Sequence, residues 1–116
     1  MLLNDVKNKL EEIDPNVHYG LMTKNPEDVP VWDYIVFNRT KLRHGADKNS
    51  LGDLFEVHIV REDFIPEGLD TAVIAKMREI PGVRPTNDDG SFDYMQKPNT
   101  DTVVEMLTLT FVRARK

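Results

Sequence analysis

The sequence contains no cysteine, only one tryptophan, and no run of apolar residues long enough to cross a membrane. The lack of cysteine excludes disulfides, thiol catalysis and thiolate metal sites, and it fits a reducing compartment. A membrane-spanning helix needs about 20 consecutive apolar residues. The amino-terminal segment reaches a charged residue at Asp5 without the apolar stretch of a secretion signal. We therefore expect a protein that is made in the cytoplasm and makes no membrane contact.

The size and charge of the chain predict one acidic globular domain. Its 116 residues form one domain, residues 1–116, because two halves would each be too small to bury a core. Hydrophobic residues make up 40% and charged residues 30%, which is close to globular averages and argues against disorder. The net charge of −5 repels nucleic acid, so any contact with DNA requires a local basic patch.

Apolar periodicity predicts two helices and several strands. Leu3, Val6, Leu10 and Ile13 recur at helical spacing, and a second amphipathic helix is predicted over residues 70–80 with Asp70 as its N-cap. Alternating or β-rich stretches predict strands at residues 18–22, 31–43, 54–61, 92–97 and 103–113. The predicted class is α+β, with a small, mostly antiparallel sheet that has both helices packed on one face.

The pattern of the strands also predicts the core. Alternation places one set of large apolar side chains toward the helices, while both faces of the long last strand carry apolar residues and should be at least partly covered. The predicted core residues are Leu10, Phe55, Val57, Ile59, Val73, Met77, Leu107, Leu109 and Phe111. A loop rich in Gly, Asp, Asn and Ser is predicted over residues 44–53.

Two clusters of basic residues are the candidate contact sites of this acidic chain. Arg39, Lys41 and Arg43 fall on one face of a strand by the period of two, with Lys48 in the following loop. Arg113, Arg115 and Lys116 form a second cluster near the carboxyl end. Such clusters can meet an acidic neighbouring subunit or phosphate groups, or they can protect a solvated sheet edge by charge.

The candidate chemistry of an enzyme is limited to Glu56 and His58. These two residues lie two apart on the exposed face of a predicted strand, where they could hold a proton or a metal ion. A metal hydrolase needs further ligands, and His18 and His44 show no recognisable spacing, so solvated surface is the preferred interpretation. Glycine and serine motifs for phosphate binding or nucleophilic catalysis are missing. We expect no enzymatic activity, no metal and no cofactor.

The order of elements resembles a known family of phage proteins. The resemblance is carried by residues 30–37 (PVWDYIVF), the strand at residues 55–60 (FEVHIV), the helix at residues 69–80 and the terminal hairpin. Together they resemble the tail terminator, or tail completion, proteins of long-tailed bacteriophages and prophages, over nearly the whole chain. Related neck and minor tail proteins share the same pattern.

This resemblance implies a structural role in the virion. Family members form a ring, commonly a hexamer, that caps the tail tube and joins it to the head-completion or connector protein. The expected partners are therefore other copies of the chain, the tail tube protein and the connector, with DNA only passing through the ring. The expected location is the tail-head junction, after synthesis in the cytoplasm of a bacterial host. A small regulatory module that binds nucleic acid through Arg39, Lys41 and Arg43 remains the alternative.

Overall fold

The computed structural model describes residues 2–20, 33–44, 51–86, 89–96 and 101–115. The chain order is α1 (Leu2–Glu11), β1 (Val17–Tyr19), β2 (Tyr34–His44), β3 (Leu51–Glu62), α2 (Leu69–Arg78), β4 (Val83–Pro85), β5 (Ser91–Gln96) and β6 (Val103–Arg115). The α+β class predicted from the sequence is confirmed.

The strands form one six-stranded sheet in the order β1-β2-β3-β6, with β4 and β5 both pairing with the outer side of β6. Of the strand pairs in the described residues, β1–β2 is parallel and the other four are antiparallel. The central strands are long, with 12 residues in β3 and 13 in β6. At about 3.3 Å per residue, each spans roughly 40 Å.

Both helices pack on one face of the sheet, as predicted. The buried residues of α1 and α2 join one face of β2, β3 and β6 in a single core, because paired residues of antiparallel strands point to the same side. Phe55 and Phe111 stack at its centre, with ring centroids 5.5 Å apart. Eight of the predicted core residues are buried, and the ninth, Leu109, is partly buried against the core.

The opposite face of the sheet carries no helix among the described residues, yet much of it is shielded from solvent. Val60 and Val104 are buried there and pack with Tyr34 and Met106 in a small second apolar cluster. Apolar burial on both faces of β6 confirms the sequence prediction for this strand. We refer to the two sides below as the helix face and the second face.

A β-bulge in β2 changes which face its residues occupy. The register of β2 against β3 pairs Arg39 with Phe55 and then Lys41 with Leu54, so that Thr40 is left over. The Thr40 hydroxyl donates a hydrogen bond to the carbonyl of Leu54 at 3.3 Å. Since Phe55 and Leu54 point to opposite faces, Arg39 belongs to the helix face and Lys41 to the second face. The prediction that Arg39, Lys41 and Arg43 share one face is wrong.

The structure corrects the predicted start of α2. Gly68, with φ of 95°, precedes the helix, and no side chain among the described residues caps it. Asp70 lies inside the first turn, where its Oδ1 accepts from the backbone N–H of Thr71 at 2.7 Å. Asp70 is therefore not the N-cap, although its negative charge still suits the positive end of the helix dipole.

The predicted loop is shorter than expected, because β2 runs to His44 and β3 already begins at Leu51. The intervening residues 45–50, which include Lys48, lie outside the described residues, as does Trp32. Among the described residues, no helix is long and apolar enough to cross a membrane.

Candidate assembly surfaces

The sheet brings the two basic clusters of the sequence to one end. Leu42 of β2 pairs with Asp53 of β3, which pairs in turn with Arg113 of β6. In the same way, His44 pairs with Leu51, and Leu51 pairs with Arg115. The carboxyl-terminal ends of β2 and β6 therefore flank the start of β3 on either side. Residues 39–43 and 113–115, distant in sequence, become neighbours because β3 is antiparallel to both strands.

Two of the predicted contact residues have exposed side chains, one is partly buried, and two are placed by the pairing of their backbone. Arg39 and Lys41 are exposed, and Arg39 Nε donates to Tyr19 Oη at 3.3 Å. Arg113 is partly buried on the helix face, beside Asp53 in the register. Arg43 and Arg115 are placed by their backbone pairing with Gly52 and Leu51, and Lys48 and Lys116 lie outside the described residues.

Sequence reasoning missed one cation at this end. Arg84 in β4 pairs with Val112 of β6 and is exposed. The three-residue strand that carries it contains Pro85, which is tolerated because β4 is an edge strand. We name this region the basic end. Its cationic residues are Arg39, Lys41, Arg43, Arg84, Arg113 and Arg115, and Asp53 is the one acidic residue in the described part of these strand ends.

The opposite end of the sheet is acidic. It comprises the described residues 33–35, 60–66, 89–96 and 101–107, in which Arg61 is the one cation. We name this region the acidic end. Its acidic residues are Asp33, Glu62, Asp63, Asp89, Asp93, Asp101 and Glu105. Arg61 is held in a salt bridge to Asp14, with 2.7 Å between Nη2 and Oδ2, so the acidic end is left with little positive charge.

Edge strand β5 exposes apolar side chains at the acidic end. All six of its residues are exposed, including Phe92 (51%), Tyr94 (64%) and Met95 (54%). Phe64, in the connection before α2, is 68% exposed. Single exposed apolar residues are ordinary, but several on one edge strand mark an interaction surface.

Glu105 organises the acidic end. Its Oε1 accepts a hydrogen bond from the backbone N–H of Ile65 at 2.8 Å, which ties the connection before α2 to β6. It also accepts from the Tyr94 hydroxyl, and this hydrogen bond raises the pKa of Tyr94. Glu105 thereby joins β5, β6 and the segment that carries Phe64.

A polar group lies in the middle of the second face. His58 Nδ1 is 3.0 Å from Thr108 Oγ1, and its Nε2 is 3.6 Å from Glu56 Oε1. The tautomer with its hydrogen on Nε2 satisfies both contacts, since Nδ1 then accepts from the Thr108 hydroxyl. Burial lowers the pKa of His58, and the nearby Glu56 carboxylate only partly opposes this effect. The pair is less solvated than the sequence indicates, because both side chains are partly buried.

In the described part of the chain, no further metal ligand joins the Glu56–His58 pair. Among the described residues, no group of three or more histidine, cysteine, aspartate or glutamate side chains could hold a metal ion. Beside the pair, the Oδ1 atom of Asn38 is buried and has no hydrogen-bond partner in the described part of the chain. This arrangement can orient a neutral imidazole and accept a hydrogen bond at Asn38.

No protein-family model matches this sequence, and no curated protein matches it significantly. The assignment of function therefore rests on the arrangement of charged and apolar surfaces around the sheet and on the resemblance in the order of elements.

Proposed function

We propose that this protein is a structural subunit of the tail-head junction of a long-tailed bacteriophage or prophage. In this proposal it acts as a tail terminator, which caps the tail tube as a ring and joins it to the head connector. Its partners are other copies of itself, the tail tube protein and the connector, and it needs no cofactor. The proposed activity is assembly on the tail, which depends on contact surfaces rather than on an active site.

The observation that carries the proposal is the charge separation along one sheet. The basic end and the acidic end lie at opposite ends of the long strands β3 and β6, in a protein whose net charge is −5. A subunit with two unlike ends can bind copies of itself in one direction, which is the requirement for a ring. The order of the two helices and the strands, which resembles that of tail terminators, supports the same role.

The proposal is tested by removing the gene from a phage or prophage that encodes the protein. Heads and tails should then accumulate separately, and adding the purified chain to the mixed extract should restore joined particles. Electron microscopy with an antibody against the chain should label the junction between head and tail. Normal particle yield without the gene would overturn the proposal. Label elsewhere on the tail would instead indicate a minor tail protein.

A nucleic-acid-binding module is a second candidate, favoured by the six cationic residues of the basic end. The bulge at Thr40 separates the side of Arg39 from that of Lys41, which breaks the stripe on which this alternative depended. Binding driven by phosphate contacts weakens steeply with salt. We expect no binding to duplex DNA at about 0.1 M salt. DNA binding that persists at this salt concentration, with an affinity that falls steeply as the salt is raised further, would favour the nucleic-acid-binding module instead.

A further inference from the structure

Two edges of the sheet lack a neighbouring strand in the described part of the molecule. On one side, residues 91–95 of β5 pair with β6 and with no other described strand. On the other side, β1 covers β2 only at Ile35, Val36 and Phe37, and no described strand lies beside residues 38–44. An open edge presents backbone N–H and C=O groups that can pair with another strand.

These two edges carry opposite charge. The β5 edge belongs to the acidic end and includes Asp93, with Asp89 just before the strand. Residues 38–44 of β2 carry Arg39, Lys41 and Arg43 and no acidic residue. Each edge also exposes apolar surface, since Leu42 is 51% exposed in the middle of the basic segment. The positive charge and exposed apolar surface of the β2 edge therefore complement the negative charge and exposed apolar surface of the β5 edge.

The faces of the two edges also match. The register against β6 places Phe92 and Tyr94 on the helix face and Asp93 on the second face. On β2, Leu42 lies on the helix face, because it pairs with Asp53, and Lys41 lies on the second face. If one copy continued the sheet of another with the helices on the same side, the aromatic residues would meet Leu42 and Asp93 would meet Lys41.

We propose that β5 of one subunit pairs with residues 38–44 of β2 in a second copy, so that the sheet continues from subunit to subunit. This contact is heterologous, since each subunit uses a different edge on each side, and repetition closes a ring or extends a filament. The alternative of β5 pairing with β5 brings two acidic edges together, and like charges on opposed strands are destabilising. The inference builds on the ring of the proposed function and identifies its two surfaces.

The absence of cysteine allows a direct test by thiol crosslinking. We would prepare Phe92→Cys on β5, Leu42→Cys on β2 and, as a control, Glu11→Cys on the exposed side of α1. A short bifunctional maleimide should crosslink a mixture of Phe92→Cys and Leu42→Cys into dimers that contain one of each, identified by mass. Each variant alone, and Glu11→Cys mixed with either, should remain uncrosslinked.

Charge reversal supplies an independent measurement on the same contact. Asp93→Lys and Lys41→Glu, each introduced into both crosslinking variants, should separately lower the yield of the mixed dimer several-fold. Combining Asp93→Lys in the Phe92→Cys chain with Lys41→Glu in the Leu42→Cys chain should restore the yield, because the reversed charges then attract. Glu11→Lys and Lys7→Glu change the net charge equally at exposed positions on α1 and should leave the yield unchanged. Circular dichroism of each variant would check that it is folded.

Each outcome decides the assignment. Dimers of Phe92→Cys with itself at equal yield would overturn it in favour of a symmetric β5 contact. No mixed dimers at the highest concentration that the protein tolerates would also overturn it. Rings on tails without these crosslinks would reject the two contact surfaces and keep the proposed function. Crosslinks from a protein that never joins tails to heads would keep the contact surfaces and reject the proposed function.

Discussion

Arg61 on β3 and Asp14, just after α1, form a salt bridge with 2.7 Å between Nη2 and Oδ2, and both side chains are largely buried. Arg61 Nη1 also donates to the carbonyls of Val60, at 2.8 Å, and Tyr34, at 3.3 Å. Asp14 Oδ1 accepts from the backbone N–H of Asn16 at 2.8 Å. This pair fastens the end of α1 to the acidic end of the sheet, where it also neutralises Arg61.

Replacing Asp14 by Ala should be strongly destabilising. The guanidinium of Arg61 would stay largely buried without its carboxylate, and breaking a buried pair in this way costs about 3–5 kcal/mol. Urea unfolding of Asp14→Ala measures the loss, and Asp14→Ala combined with Arg61→Met should recover part of it. Lys9→Ala, which breaks the exposed Lys9–Glu79 contact, is the control and should leave the unfolding midpoint nearly unchanged. Equal effects of Asp14→Ala and Lys9→Ala would show that the buried pair is unimportant.

Leu107→Asp should prevent folding. Leu107 is 2% exposed and pairs with Ile59 on the helix face, so the new carboxylate would be buried without a partner at a cost of several kcal/mol. Small domains have only about 5–15 kcal/mol of stability in total. Circular dichroism melts should show no cooperative transition, whereas Leu42→Asp at an exposed position of β2 should melt like the unmodified protein. An unchanged midpoint for Leu107→Asp would show that the core is wrongly assigned.

His58 should make the protein less stable in mild acid. Burial lowers the pKa of the folded-state imidazole below its ordinary 6.5, so the unfolded chain binds more protons in the interval between the two values. Stability is therefore lost as the pH falls through about 6.5, and this loss levels off below the folded-state pKa.

Two measurements check the His58 prediction. NMR titration of the imidazole should give a folded-state pKa below 6.5. Urea unfolding at about pH 7 and about pH 5 should show a larger loss for the unmodified protein than for His58→Gln, which cannot take up this proton. An NMR pKa above 6.5, or identical losses in the two proteins, would contradict the prediction.

Shortening the connection between β2 and β3 should leave the fold intact and impair the joining of tails to heads. His44 and Leu51 are paired, so residues 45–50 can be replaced by Asn-Gly as a two-residue hairpin turn. The shorter loop costs less closure entropy, so the thermal midpoint should be unchanged or higher. A variant with six Gly and Ser residues in the same place separates length from composition.

The joining assay decides whether this surface takes part in assembly. We expect fewer joined particles from the shortened variant than from the unmodified chain in extracts that lack the gene. A further variant combines the shortened loop with the change of Arg39, Lys41 and Arg43 to Ser. A normal yield of joined particles from this variant would show that the surface takes no part in assembly. The end of β6, with Arg113 and Arg115, would then be the next surface to change.

The core could be predicted from the sequence because it depends on local periodicity. Val57 and Ile59 alternate with Glu56 and His58, and Val73 and Met77 repeat at helical spacing. All four apolar residues are buried. The candidate contact surface could not be predicted in the same way. That Arg113 and Lys41 belong to the same end of the sheet follows from the pairing of both strands with β3, which no local pattern encodes. β4 was missed because three residues ending in Pro85 give little periodic signal.

The wrong facial assignment of Arg39 and Lys41 has a similar cause. A period of two holds only while a strand pairs without interruption, and the extra residue at Thr40 is visible only against β3. Asp70 was a reasonable N-cap by residue type, but the chain enters α2 through the left-handed conformation of Gly68. In both places the backbone path, rather than side-chain preference, determines the structure: which face of the sheet a residue occupies in β2, and where the helix begins in α2.

The bulge at Thr40 also determines how the chain tolerates insertions and deletions. Removing Thr40 would take out the unpaired residue, and Lys41 would then follow Arg39 directly in the ladder opposite Leu54. Each residue of β2 beyond that point would keep its partner on β3, so Leu42 would stay on the helix face and Lys41 on the second face. The opposite change, in which Thr40 stays but takes a regular place opposite Leu54, would move every later side chain of β2 to the other side of the sheet. That slip would act as an inversion of polarity over the end of the strand, with no change in its composition, net charge or hydrophobicity.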